Sequence, residues 1–212
     1  MTDAERSDLA HLYRRAGFGA TPAELDAAVT AGYAATVAAL VHPDPADPGV
    51  AATPAPSFDD IAVVGKAADA AARKEHGKAV RGQVKELELW WLQRMAAATN
   101  PFPEKMTFFW HGHFTSSWGK VGNTWAMTKQ NKLYRDSAIG SFYALTQAMA
   151  IEPAMLLYLD NAENTRTSPN ENFARELLEL FTLGVGNYAE SDVLAAARAW
   201  TGYGINWTTY AY

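Results

Sequence analysis

Apolar residues recur at intervals of three and four along most of this chain, and no run alternates apolar and polar residues long enough to make a strand. The periodicity predicts helices at about 22–41, 68–98, 103–113, 121–135, 137–150, 153–159, 170–183 and 190–201. Thr21-Pro22-Ala23-Glu24 is a capping box with proline at the first helical position, and an alanine-rich helix should follow it to about residue 41. In the long helix from about residue 68, Val84, Leu87, Trp91 and Met95 share one face and should form its buried stripe. Residues 42–57 hold five of the ten prolines and read as loop or linker. The pattern therefore predicts an all-α fold, an irregular helical bundle without internal repeats. It comprises an N-terminal helical hairpin (1–41), a proline-rich linker (42–67) and a helical core (68–212), one domain overall.

The stretch SPNENFARELLELFTLG raises a question of phase. At about 100° per residue, Phe173, Ala174, Leu177, Leu178, Leu180, Phe181 and Leu183 make one broad apolar arc. Glu176 falls inside that arc, between Leu180 and Leu183, whereas Glu171 and Glu179 lie on the polar side. Glu171 has a simple role, since Ser168-Pro169-Asn170-Glu171 reads as a second capping box with Ser168 as N-cap. A buried Glu176 must be paired, metal-bound or protonated, because an uncompensated buried carboxylate costs several kcal/mol. An ion pair with Arg14, Arg15 or Arg135 is the structural alternative to a ligand or acid–base role.

FWHGHF supplies two histidines. On a continuous helix His111 and His113 point about 200° apart and cannot share a metal; only a break at Gly112 would let both chelate. His113 shares a face with Met106, Phe109, Trp110 and Phe114, so a core histidine is the competing reading. DNAENTRTSPNE (160–171) places Asp160, Asn164 and Glu171 at positions one, five and twelve of a calcium loop, but Ala162 and Thr165 spoil positions three and six. A loop held by Asn and Asp side chains suits it better. GFGAT (17–21) has no preceding strand, so it is no dinucleotide loop; it should end one helix and cap the next. The amides of QNKLYRD (130–136) read first as a solvated face and second as the polar wall of a cleft.

Composition narrows the classes. The chain has 212 residues, 49% hydrophobic, with a net charge of −5 and no cysteine. Scattered Lys and Arg give no footprint for nucleic acid or an anionic membrane surface. Without cysteine there is no disulfide, thiolate metal site or cysteine nucleophile. The N-terminus is charged from its third residue and lacks the apolar core of a signal peptide, which predicts a cytoplasmic protein.

Four stretches together, LYRRAGFGATPAELDA, EKMTFFWHGHF, LLYLDNAENTRTSPNENFARELLELFTLGVGNY and AARAWTGYGIN, resemble the large bacterial family of domain of unknown function 1800. The resemblance spans most of the chain outside the proline-rich segment. It implies an all-helical fold with no established activity. Many members resemble exported proteins, often encoded beside a second family similar to phosphatases and sulfatases. Members usually continue beyond the TGY stretch, so the chain is expected to be a fragment whose terminal Trp207, Tyr210 and Tyr212 favour self-association. Ala189 stands where the family tends to have threonine, a weaker start for the last helix.

Two functions follow as expectations. The first is an enzyme or metal-binding domain, with His113 and Glu176 as the catalytic pair. His111, His113, Asp160 and Glu176 would hold a divalent metal that activates water for hydrolysis. The second is a non-catalytic helical module that binds a protein partner such as the phosphatase- or sulfatase-like neighbour.

Overall fold

The computed structural model describes residues 3–58 and 69–205. Among the described residues every element is helical, apart from an isolated bridge between Thr165 and Ser168. The fold is all-α, as the periodicity predicts. No single described helix is long and apolar enough to cross a membrane. The chain divides into two compact units, Met1–Phe109 and Trp110–Tyr212.

The first unit holds α1 (Asp3–Ala16), α2 (Pro22–Ala31), α3 (Tyr33–Val41), α4 (Pro48–Ala51) and α5 (Ala70–Ala97), and the beginning of α6 (Phe102–His113). Thr21 caps α2 as expected: its hydroxyl accepts from the Glu24 amide at 3.3 Å, and Glu24 accepts from the Thr21 amide at 2.6 Å. The alanine-rich stretch is two helices rather than one. Gly32 takes φ 89° and its amide closes α2 onto Ala28 O, after which α3 leaves at 109°. Glycine reaches positive φ without a Cβ clash, so a single residue breaks a run of otherwise strong helix formers.

The proline-rich segment is not a linker over its described part. Asp47 is buried and receives the amides of Gly49, Val50, Thr99 and Asn100, which ties the strap to the end of α5. Gly49 passes so close to α5 that a Cβ there would lie 1.6 Å from Ala97 O. Trp90 donates its indole N–H to Thr53 O at 3.0 Å. Residues 42–58 thus belong to the first unit, and the division of the chain lies within α6. Residues 59–67 of the expected linker lie outside the described residues. On α5 the buried positions are Trp90 and Arg94, while Val84, Leu87, Trp91 and Met95 are half-buried. The stripe is turned by about one position from the expected one.

The second unit contains α7 (Trp118–Val121), α8 (Thr124–Asp136), α9 (Phe142–Met149), α10 (Pro153–Tyr158), α11 (Glu171–Glu176), a π-helix (Leu177–Thr182) and α12 (Glu190–Ala199). Phe114, Tyr134, Leu145, Met149, Met155, Phe173 and Phe181 form its core. Ala174, Val193 and Ala197 make a smaller seam between α11 and α12, where small side chains let the helices approach closely.

Candidate functional site

The loop from Asp160 to Asn170 is built by asparagines. Asn164 is buried; its amide nitrogen donates to Asn161 Oδ1 at 3.0 Å and to Ala197 O at 2.9 Å, and its oxygen accepts from the Asn170 amide at 2.8 Å. Asn170 and Asn172 donate to the carbonyls of Asp160 and Leu159 at 3.0 and 3.1 Å. Carbonyls left over at the ends of α10 and α12 thereby find donors. The N-cap of α11 is Asn170, which accepts from the Asn172 amide at 3.0 Å. Ser168, expected there, is exposed and instead pairs through its backbone with Thr165. The bridge holds Ser168 two residues before the N-cap.

The same helix then changes pitch. The Leu183 amide reaches Leu178 O, five residues back, at 2.8 Å, so the turn carries an extra residue and the downstream side chains rotate. Leu180 and Leu183, assigned to the buried arc by a uniform α pitch, are 60% and 49% exposed. Glu176 is half-buried and makes no hydrogen bond or ion pair among the described residues. The expectation of a buried, compensated Glu176 is therefore corrected.

His113 lies among rings. Its imidazole meets Phe114, Phe142 and Trp110 edge-on, with centroids 4.8, 5.8 and 5.9 Å away, and Phe181 at 6.2 Å. Its Nε2 is 3.0 Å from Phe181 O in the π-helix. Because a carbonyl only accepts, Nε2 carries the hydrogen there. The bond ties α6 to the π-helix and occupies one of the two ring nitrogens.

α6 continues through Gly112, so His111 faces away from His113. His111 is half-buried, edge-on to Tyr134 at 6.1 Å, and burial lowers its pKa. Asp160 forms an exposed ion pair with Lys120 at 2.7 Å, and its own backbone has φ 59°. Among the described residues no three His, Asp or Glu side chains gather so as to hold a metal. The ligand set His111, His113, Asp160 and Glu176 is not assembled.

A carboxylate that the sequence reading passed over is buried instead. Glu152, 4% exposed, caps α10 by accepting from the Met155 amide at 2.9 Å, and the same oxygen receives Gln130 Nε2 at 3.0 Å. Ser116 donates to Gln130 Oε1, completing a buried chain across three segments. Gln130 and Asn131 therefore belong to the interior of the second unit, not to a solvated face. Glu152 Oε1 and Asn131 Oδ1 have no hydrogen-bond partner among the described residues. Burial pushes the Glu152 carboxyl up to about 7, against the pull of the Ala154 and Met155 amides and of Gln130. Burial also holds the Tyr134 phenol well above its usual range, with the charge of Glu152 adding to it. Tyr134 thus stays a neutral donor to Phe114 O at 2.8 Å. Glu-Pro at a helix start was the available signal, since it sets a carboxylate at the N-cap before proline at N1.

The first unit carries a cavity of ligand size, about 460 Å³. Ala27, Ala28 and Ala31 of α2 and Ala35 and Ala39 of α3 make one wall, which the bend at Gly32 sets in place. Tyr13 and the Thr99–Pro101 turn close it, and His42, Asp44 and Asp47 form its polar end. Asp47 is ionised: burial alone would raise its pKa, but its four backbone amide donors outweigh that and hold it below the usual value. Asn100 is used structurally, donating to Ala39 O at 2.7 Å and accepting from the Phe102 amide at 3.0 Å. The alanines at i, i+4 and i+8 in AELDAAVTAGYAATVAAL were the sequence trace of this wall.

No curated protein and no solved structure matches the chain. The asparagine-built loop, the π-helix after it and the histidine bound to that helix all lie within residues 11–212, over which the chain matches the family model described as protein of unknown function (DUF1800), and it belongs to that family.

Proposed function

We propose that the protein is a non-catalytic helical binding module whose ligand site is the cleft of the first unit. The carrying observation is that cleft: about 460 Å³, walled by alanines, with its polar groups gathered at one end. Sites for small molecules combine a mostly apolar wall with a few placed polar groups. The residues expected to make a hydrolytic centre are occupied otherwise, His113 by a carbonyl and Asp160 by a lysine. A fragment screen by amide chemical shifts on the full chain tests the module. Saturable shifts on residues 27–40 and 99–101 are expected; shifts confined to other segments, or none, overturn it.

One observation favours a catalytic second reading. Glu152 has a buried oxygen without a partner among the described residues, on a carboxyl that burial pushes up to about 7, the range of a general acid or base. Ester hydrolysis by the wild-type chain that disappears in Glu152→Gln would carry that reading. Equal rates end it.

A further inference from the structure

We infer that the cleft of the first unit selects an aliphatic amine, with the alkyl chain along the alanine wall and the ammonium at the polar end. The inference rests on the module reading above and adds the chemical class of its ligand.

The wall presents methyl groups and little else, because Ala27, Ala31, Ala35 and Ala39 fall on the cleft side of two helices. Such a surface lets a narrow chain approach closely and offers it no hydrogen bonds. Thr36 does not change this, since its hydroxyl is spent on Gly32 O at 2.9 Å.

The polar end is negative on three counts. It carries two carboxylates, Asp44 and Asp47, and among the described residues no lysine or arginine lines the cleft. α3 ends at Val41 and α5 at Ala97, so two helix C-termini with their partial negative charge lie at this end. The helix starts nearby are already satisfied. Asp47 takes the first amides of α4, and Asn100 takes that of Phe102 in α6. An anion would meet the Asp44 and Asp47 carboxylates, whereas a cation meets carboxylate and carbonyl oxygen. Asp44 uses one oxygen for the Ala46 amide at 2.8 Å; its other makes no hydrogen bond among the described residues. His42 is exposed at the same end of the cleft.

The test compares three probes of one chain length on the full protein at pH 8: hexylammonium, hexanol and hexanoate, by calorimetry and amide shifts. Hexylammonium is expected to bind about fivefold more tightly than hexanol, the order of one partly exposed charge interaction. Hexanoate is expected to bind most weakly. Asp44→Asn, which keeps the acceptor for Ala46, should remove the preference for the amine while leaving hexanol affinity unchanged. Ala35→Phe should abolish binding of all three, with Ala39→Phe as a second filling variant if the first lowers the melting midpoint. Equal affinities for the three probes, or tighter hexanoate, overturn the charge selection and leave the module standing. Failure of every probe to bind, or binding untouched by both filling variants, overturns the module itself.

Discussion

At the residue scale, two carboxylates show how environment sets opposite behaviour. Asp47 is ringed by amide donors, and Asp47→Ala would strand all four, two in the first turn of α4 and two in the turn after α5. The loss expected is about 3 kcal/mol, with Asp47→Asn costing less because one acceptor oxygen remains. Urea denaturation of the two variants checks the order. Glu152 has too few donors instead. Its folded pKa of about 7 lies above the ordinary 4.5, so its contribution to stability is fully present below pH 4.5 and is lost as pH rises to about 7. The loss amounts to roughly 3 kcal/mol as an upper bound. His111 acts in the other direction, because its lowered pKa makes stability fall as pH drops below 6.5. The informative quantity is therefore the difference between wild type and Glu152→Gln. That difference should shift by the stated amount in favour of the variant between pH 4.5 and 7.5; a difference independent of pH contradicts the buried-acid assignment.

At the element scale, most helices were legible because their start signals are local. Thr21 through Glu24, and Pro153, sit where a cap or a first-turn proline would place them. The start of α11 was not, although SPNE satisfies the same rule. Its cap is chosen by long-range partners: Asn170 is held by Asn164 and by Asp160 O, and the bridge takes Ser168 out of reach. Asn170→Ala should thus cost about 1–2 kcal/mol, while Ser168→Ala stays within about 0.5 kcal/mol. Paired thermal melts decide it, and the reverse order would restore Ser168 as the cap. Pitch was invisible for a related reason. A π turn leaves no mark in the residues it contains, and the uniform 3.6-residue period misplaced Leu180, Leu183 and Glu176 together. The candidate metal site depended on that phase and on a break at Gly112. Neither premise holds in the folded chain.

At the scale of the whole molecule, composition announced helices but not how the chain divides. The prolines of 42–57 mark a change of backbone state, which they deliver, yet Asp47 and Gly49 turn that change into an anchor instead of a hinge. The division within α6 has no punctuation in FFWHG, because a helix that runs through a boundary keeps its period. Surface properties depend on the same misread elements. Trp207, Tyr210 and Tyr212, the expected source of self-association, lie outside the described residues. Among the described ones, the π turn brings Leu180, Leu183 and Val185 out at 60%, 49% and 77% exposure. Three apolar side chains within six residues lower colloidal solubility, and a net charge of only −5 opposes that weakly. Leu180→Glu with Val185→Glu adds two negative charges where no core contact is lost. The double variant should raise the concentration at which light scattering first departs from a monomer, and should leave the melting midpoint within about 1 °C because surface changes of this kind rarely exceed 0.5 kcal/mol. A midpoint lowered by several degrees would mean that these side chains are buried in solution, and would return the helix to a uniform α pitch.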